Sequence, residues 1–375
     1  MDAHWLANTA FAIDLYKKLN EQSNNSNILF APICISTSLA LARKAAKNET
    51  AEQIEQVLHF GKGKDVDFGF HTITSDINKI SAANSLSVVK RLYADNCLSP
   101  TKEFINSIKK SYPSEFECVD FKEKPEETRQ QINKTVSDLT SGKIENMLPE
   151  GSVSEQTQLL MLDAASLKGK WMKKFNESET KEVPFRINKT ETKLVQMMQL
   201  EARCNLGYIK ELKTLVLSLP FVNKSLCFIV LLPEDIEDES TGLEQLESNL
   251  TSEKFVQWTN PSGMANTKAT IHLPKLTLDS KCDLKPLLIS MGLVDAFNDQ
   301  VADFSGMTEC KGVALSQAFH QTTLEISEDG VDDPDMTRER VLMHKDKFEA
   351  SRPFMFAVSH MKTSNLLMLG KCVSP

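Results

Sequence analysis

Two arginines, Arg338 and Arg340, stand in a long polar stretch, Glu328–Pro353, that reads EDGVDDPDMTRERVLMHKDKFEASRP. A basic side chain on an accessible loop is what a trypsin-like serine protease cleaves after, so the first chemistry these residues offer is proteolysis at Arg338 or Arg340. The start of the stretch is acidic: Glu328, Asp329, Asp332, Asp333 and Asp335 surround Gly330, Val331 and Pro334. Carboxylates this close could hold Ca²⁺. The run lacks the ligand alternation and terminal bidentate Glu of a calcium loop, however, and it reads as a solvated segment. Enzyme signatures are missing: there is no G-x-S-x-G elbow, no H-E-x-x-H and no P-loop, and Gly61-Lys62-Gly63 lacks the third glycine of a dinucleotide fingerprint. The eight cysteines at 34, 97, 118, 204, 227, 282, 310 and 372 form no CxxC and no cluster. Zinc ligation and dithiol redox motifs therefore find no support, and the pattern reads as reduced thiols, several buried as small hydrophobes. The expectation is no catalytic residue, no metal and no cofactor.

The polar stretch lies between strands. Leu315–Ser327 is rich in strand formers, and alternation places Ala318, His320, Thr322, Leu324 and Ile326 on one face. Arg352–His360 and Asn365–Val373 read as a hairpin, as do Thr214–Phe221 and Leu226–Leu232 around a turn at Val222–Ser225. Further strands are expected at Leu86–Ala94, Glu115–Phe121, Thr157–Leu167 and Thr270–Leu278. Helical spacing covers Ile33–Ala46, Asp65–Ser81, Thr101–Tyr112 and Pro125–Met147, with Thr50-Ala-Glu-Gln53 as a capping box. An N-terminal amphipathic helix buries Phe11, Ala12, Leu15, Tyr16 and Leu19. Strands drawn from all parts of the chain imply large mixed sheets with non-local pairing, an α+β fold in one domain.

Bulk properties narrow the partners. Over 375 residues the net charge is −8, with 41% hydrophobic and 25% charged residues, an ordinary globular balance that argues against nucleic acid. The basic pairs Lys90-Arg91 and Lys109-Lys110 read as solvated faces. The longest apolar run, Leu226–Leu232, is too short to span a bilayer. The N-terminus lacks the basic start and continuous apolar core of a cleaved signal. Sequons at Asn24, Asn48, Asn133, Asn176, Asn188, Asn223 and Asn249 pull weakly toward secretion while the cysteines pull toward the cytosol.

Eight segments, in order, resemble the serpin superfamily: Asn27–Leu58, DAASLKGKW (Asp163–Trp171), LPFVNKSLCFIVLLPED (Leu219–Asp235), IHLPKL (Ile271–Leu276), ADFSGM (Ala302–Met307), HQTTLEISEDG (His320–Gly330), RPFMF (Arg352–Phe356) and the terminal GKCVSP. Within the family the chain is similar to the ovalbumin-type intracellular clade. The resemblance implies the serpin fold, three β-sheets and about nine helices, with an exposed reactive-centre loop at about 330–350. In inhibitory members that loop is cut and inserts as a new strand of the largest sheet, carrying the attached protease with it. The resemblance points to Arg340–Val341 as the scissile bond, whereas loop-length counting lands nearer Leu342 or His344. It also places Ala31, Asp163 and His320 in the polar cluster that gates the main sheet. His320 reads either as a switching group or as a satisfied structural histidine, and a hydrogen-bonded Asp163–His320 pair is open to it.

Residue physics speaks against insertion. If odd residues after Gly330 turn inward, Asp333 and Asp335 are buried; if even ones do, Asp332 is buried beside Pro334. An unpaired buried carboxylate costs several kcal/mol or takes up a proton, and a central-strand proline removes a ladder hydrogen bond. The expectation is a non-inhibitory monomer that trypsin-like proteases meet as a substrate; the resemblance implies cell-surface or extracellular-matrix proteins as partners and a location both cytoplasmic and extracellular. The alternative is an inhibitor of such a protease with Arg340 as its reactive-site residue.

Overall fold

The computed structural model describes residues 3–23, 25–60, 75, 77, 85–332 and 346–375. Five strands form one sheet: β2 (Leu86–Asp95), β3 (Phe116–Val119), β4 (Leu159–Lys168), β10 (Leu276–Asp283) and β11 (Leu315–Ile326), in the order β10-β11-β4-β2-β3. The other nine strands hydrogen-bond into a second assembly. These are β1 (Ile28–Phe30), β5 (Lys181–Arg186), β6 (Thr192–Ile209), β7 (Thr214–Pro220), β8 (Leu226–Pro233), β9 (Ala265–Pro274), β12 (Asp346–Glu349), β13 (Phe354–His360) and β14 (Leu366–Cys372). The 18-residue β6 divides that assembly in two. Thr192–Met197 pairs with β5, Met197–Leu206 with β9, and only Asn205–Ile209 with β7, where the β7-β8-β13-β14-β1 ladder begins. The hydrogen bonding thus makes three strand arrays, two of which share the long strand β6.

The described residues hold eight α-helices: α1 (Ala3–Gln22), α2 (Pro32–Ala45), α3 (Asn48–Val57), α4 (Lys102–Ile108), α5 (Pro125–Leu139), α6 (Glu244–Ser248), α7 (Ser252–Thr259) and α8 (Leu284–Ser290). Helix α1 buries Phe11, Ala12, Leu15 and Tyr16, the stripe its spacing predicts, with Leu19 half-buried. Helix α5 lays Ile132 and Val136 on Leu160, Leu162 and Ala164 of β4, so the middle of β4 is covered on both faces. The helical spacing of Asp65–Ser81 falls almost wholly outside the described residues.

Several local expectations are corrected by tertiary contacts. Helix α3 starts at Asn48, two residues before the expected capping box. The Thr50 hydroxyl accepts from the Asp303 N–H at 3.0 Å, and Gln53 Oε1 accepts from the Val294 and Asp295 N–H groups at 3.0 and 2.9 Å. Both side chains therefore tie down a distant loop. Helix α5 stops at Leu139 rather than Met147, because Ser141 and Gly142 adopt left-handed backbone with φ of 52° and 74°. The strand expected over Thr270–Leu278 is two strands, β9 and β10, divided at Lys275 directly after Pro274. Lys90 is buried at 7% exposure, beside Glu115 at 3.7 Å, and is no part of a solvated face.

Candidate functional site

The polar stretch leaves the five-stranded sheet at the end of β11, and its first residues are fastened before it turns away. The Trp171 N–H donates to the Asp329 carbonyl at 2.9 Å, and the Val331 N–H donates back to the Trp171 carbonyl at 3.1 Å. Lys174 and Phe175 donate to the carbonyls of Val331 and Glu328, each at 3.0 Å, and the Trp171 indole N–H donates to the Ser327 carbonyl at 2.8 Å. Trp171 is itself held by rings, stacked on Phe221 at 4.6 Å and edge-on to Phe228 at 6.0 Å. These bonds dock Glu328–Val331 on Trp171–Phe175 through a single β-bridge between Gly330 and Trp171, and the segment is called the docked strand below.

Gly330 permits that docking. A Cβ there would lie 2.7 Å from Lys174 Cα and 2.8 Å from its nitrogen, and backbone cannot swing aside. Gly330→Ala should lift the docked strand, costing about 1–3 kcal/mol. Urea melts would measure the loss, and amide exchange at Lys174 and Val331 should quicken with it. Unchanged exchange at both amides would show that the strand absorbs the methyl.

Glu328 is the electrostatic anchor. Its Oε1 accepts from the Thr180 hydroxyl at 2.9 Å and its Oε2 from Lys275 Nζ at 2.8 Å. Burial by itself would raise this carboxyl, but the hydrogen bonds from Lys275 and Thr180 and the Lys275 charge together hold it below the usual range. A polar cleft of about 560 Å³ opens beside it, walled by Lys168, Lys174, Lys275, Glu177 and Glu325.

Beneath the docked strand β4 and β11 are closed on each other. They pair in parallel from Leu159/Leu315 to Lys168/Glu325, and Lys168 and Glu325 form a 3.2 Å ion pair at the last step. One face of this seam is the buried set Ala165, Leu167, Thr322 and Leu324. The opposite face is polar near the docked strand, with Ser166 and Thr323 hydrogen-bonded at 2.8 Å, and is covered by α5 further down. Asp332 is exposed. Asp333, Pro334, Asp335, Arg338, Arg340, Val341, Leu342 and His344 lie outside the described residues.

The polar cluster sits midway along the same seam. His320 and Asp163 are register partners, both fully or nearly fully buried. The ring Nδ1–H donates to the backbone carbonyl of Asp163 at 3.1 Å, leaving Nε2 to accept from the Ala31 N–H at 2.9 Å and the Thr322 hydroxyl at 2.7 Å. Burial lowers His320 to about 3, so the ring is neutral, as this bonding requires. The side-chain pair left open for Asp163 and His320 is thus a bond to the Asp163 backbone. The carboxylate turns instead toward α2, where Ser38 Oγ donates to Oδ1 at 2.5 Å, and Oδ2 is buried with no hydrogen-bond partner. Burial drives this carboxyl well above the ordinary range, against the pull of the Ser38 hydrogen bond and the nearby Lys90 charge. Ala31 joins through its backbone, so a side-chain hydroxyl is dispensable at that position.

Sequence reasoning reached Ala31, Asp163, His320 and the acidic residues after Glu328. It passed over Ser38, Thr322, Thr180 and Lys275, whose roles exist only through partners far away in the chain. Trp171 alone carried a local signal, the G-K-W run. Asn133, one of the sequons, is buried and exchanges hydrogen bonds with the Leu148 backbone, so its amide is engaged.

A closed parallel seam in a five-stranded sheet, with a long loop leaving its second strand, is the architecture of a serpin. The family profile described as serpin (serine protease inhibitor) matches residues 6–375, and the chain belongs to the serpin family, in its ovalbumin-type clade. It is accordingly not an enzyme. Serpin B5 of Xenopus laevis is 54% identical over 375 residues, covering 100% of this chain and 98% of its own. A crystal structure of maspin is 52% identical, with a TM-score of 0.96 and coverage of 100% and 99%. A structure described as a tumour suppressing serpin is 50% identical, with a TM-score of 0.94 and full coverage of both chains. No helix among the described residues is long and apolar enough to cross a membrane.

Proposed function

We propose that this chain, as a single domain over residues 1–375, is a non-inhibitory serpin that acts through surface contacts with cell-surface or extracellular-matrix proteins. The observation that carries the reading is the acidic hinge above a closed, apolar seam. A strand entering between β4 and β11 would turn alternate residues onto Ala165, Leu167, Thr322 and Leu324. In one register those residues are Asp333 and Asp335, and in the other they are Asp332 and Pro334. Each choice desolvates a carboxylate, and Pro334 has no N–H for either neighbouring strand. Likeness to a tumour suppressing serpin extends the reading to tumour suppression. The chain works as a monomer, in the cytoplasm and outside the cell. Arg338, Arg340 and His344, the basic residues that follow the hinge in sequence, are the ones this reading assigns to an acidic partner surface.

Incubation with trypsin or a plasminogen activator, followed by a denaturing gel, tests this. Nicking near Arg338 or Arg340 with no higher band is expected. Thermal melts of intact and nicked protein should then lie within about 2 °C of each other, because no new strand completes the sheet. A detergent-stable covalent complex, or a rise of tens of degrees on nicking, would instead identify an inhibitor with Arg340 as its reactive-site residue.

A further inference from the structure

Cys97 and Cys310 are 213 positions apart and are brought together at one end of the five-stranded sheet. Cys97 sits in the short 3₁₀ turn Asn96–Leu98 that directly follows β2, and Cys310 in the turn that leads toward β11. The two turns are stitched to each other. The Thr101 N–H donates to the Met307 carbonyl at 2.8 Å, and the Thr308 hydroxyl donates to the Leu98 carbonyl. Cys310 Sγ lies 3.8 Å from the Cys97 carbonyl oxygen and 3.7 Å from that of Leu98. Both cysteines are exposed and free, and a disulfide would close their sulfurs to about 2.05 Å. Of the other thiols, Cys34 faces the Ala164 carbonyl and Cys227 that of Ser359, Cys204 and Cys372 are buried, Cys282 is half-buried and Cys118 is exposed.

We propose that Cys97 and Cys310 form a reversible disulfide under oxidising conditions, clasping the end of β2 to the turn that enters β11. These two strands flank β4 on its two sides, and at this end Leu159 of β4 pairs with both Ala94 and Leu315. Any movement of β11 away from β4 must also carry it away from β2. The disulfide opposes that movement and holds the seam closed at the end opposite the docked loop. The inference is independent of whether the loop traps proteases.

A hydrogen bond to Asp95 raises the Cys97 thiol above its ordinary value, as do burial and the Asp95 charge, which disfavours Cys97 as the first thiol oxidised and leaves it to resolve the intermediate as its thiolate forms. Hydrogen peroxide transfers one oxygen to the Cys310 sulfur, giving a sulfenic acid and one water. The Cys97 sulfur then attacks that sulfur. The S–O bond breaks, and the Cys97 proton leaves with the hydroxyl as a second water. Two electrons pass from the thiol pair to the peroxide.

The full chain, reduced and then titrated with hydrogen peroxide, provides the test through alkylation and non-reducing peptide mapping. A peptide linking Cys97 to Cys310, the loss of two titratable thiols and a melting point higher by roughly 5 °C or more are expected. All three should reverse with dithiothreitol. Cys97→Ser and Cys310→Ser should each abolish the link and the shift, whereas Cys118→Ser, also exposed, should abolish neither. Several results would overturn the proposal. These are alkylation of both residues after peroxide treatment, linkage through other cysteines, conversion to sulfinic acid without a link, or a melting shift that survives Cys97→Ser.

Discussion

Asp163→Asn should stabilise the protein increasingly as pH rises above about 4. The Asp163 carboxyl is raised by burial, so the folded chain holds a proton that the unfolded chain has released. Its stabilising contribution is complete below the unfolded value and is lost as pH climbs toward the folded one. His320 works in the opposite sense. With a folded value of about 3, it gives stability that is complete above the unfolded value near 6.5 and is lost as pH falls toward 3. From about pH 4 upward the two slopes oppose each other until Asp163 releases its proton or pH passes 6.5, each at up to about 1.4 kcal/mol per pH unit. The parent protein should therefore show a shallow profile there. In the Asn variant the His320 slope stands uncompensated, while Ser38 can still donate to the amide oxygen. Urea melts of both proteins at four pH values from 4 to 7 should start close together and diverge upward for the variant. Parallel profiles would show that Asp163 does not carry the proton, and a variant weaker at every pH would point to a needed Lys90–Asp163 attraction.

The second large effect is expected at Trp171. Trp171→Ala removes a ring that is 1% exposed and stacked on Phe221, leaving a cavity under the start of the loop. A loss of about 3–5 kcal/mol follows from comparable aromatic truncations. Trp171→Phe keeps most of the packing but drops the indole N–H, leaving the Ser327 carbonyl without its 2.8 Å donor, and should cost only about 1–2 kcal/mol. The backbone bonds to Asp329 and Val331 do not depend on the side chain. If they alone hold the docked strand, amide exchange at Val331 will stay slow in both variants. If the ring supports that segment, exchange should quicken in the alanine variant and much less in the phenylalanine one. Equal stability losses for the two variants would show that the indole hydrogen bond dominates and the ring packing does not.

Much of this protein was legible in one dimension. Alternation along Leu315–Ser327 marks Ala318, His320, Thr322, Leu324 and Ile326 as one face, and the structure buries all five. A two-residue period needs no partner to be read. The hairpins formed by β7 with β8 and by β13 with β14 were equally plain, because strand runs and their turn are neighbours in the chain. The acidic residues after Gly330 were visible for the same reason, and ordered segments from Asn27 to the C-terminus carried the family resemblance.

Other features were decided by the tertiary structure. Pairing of His320 with the Asp163 backbone crosses 157 positions, and the Cys97–Cys310 approach crosses 213. No local period encodes either separation. Lys90 looks like half of a solvated basic pair, yet β4 and Glu115 bury it. Thr50 and Gln53 spell a capping box, but loop amides at Asp303, Val294 and Asp295 take their oxygens. In each case a polar group that could be satisfied locally is claimed by a partner that only chain folding delivers. Burial then sets its charge state, because desolvation depends on everything packed around the group and not on its neighbours in sequence. Residue order by itself determined the two hairpins, β2, β4, β11, the family and the acidic hinge, but it did not mark β1, β5, β6 or β12. Only packing decided that the seam beneath the hinge is closed, and which side chains hold it so.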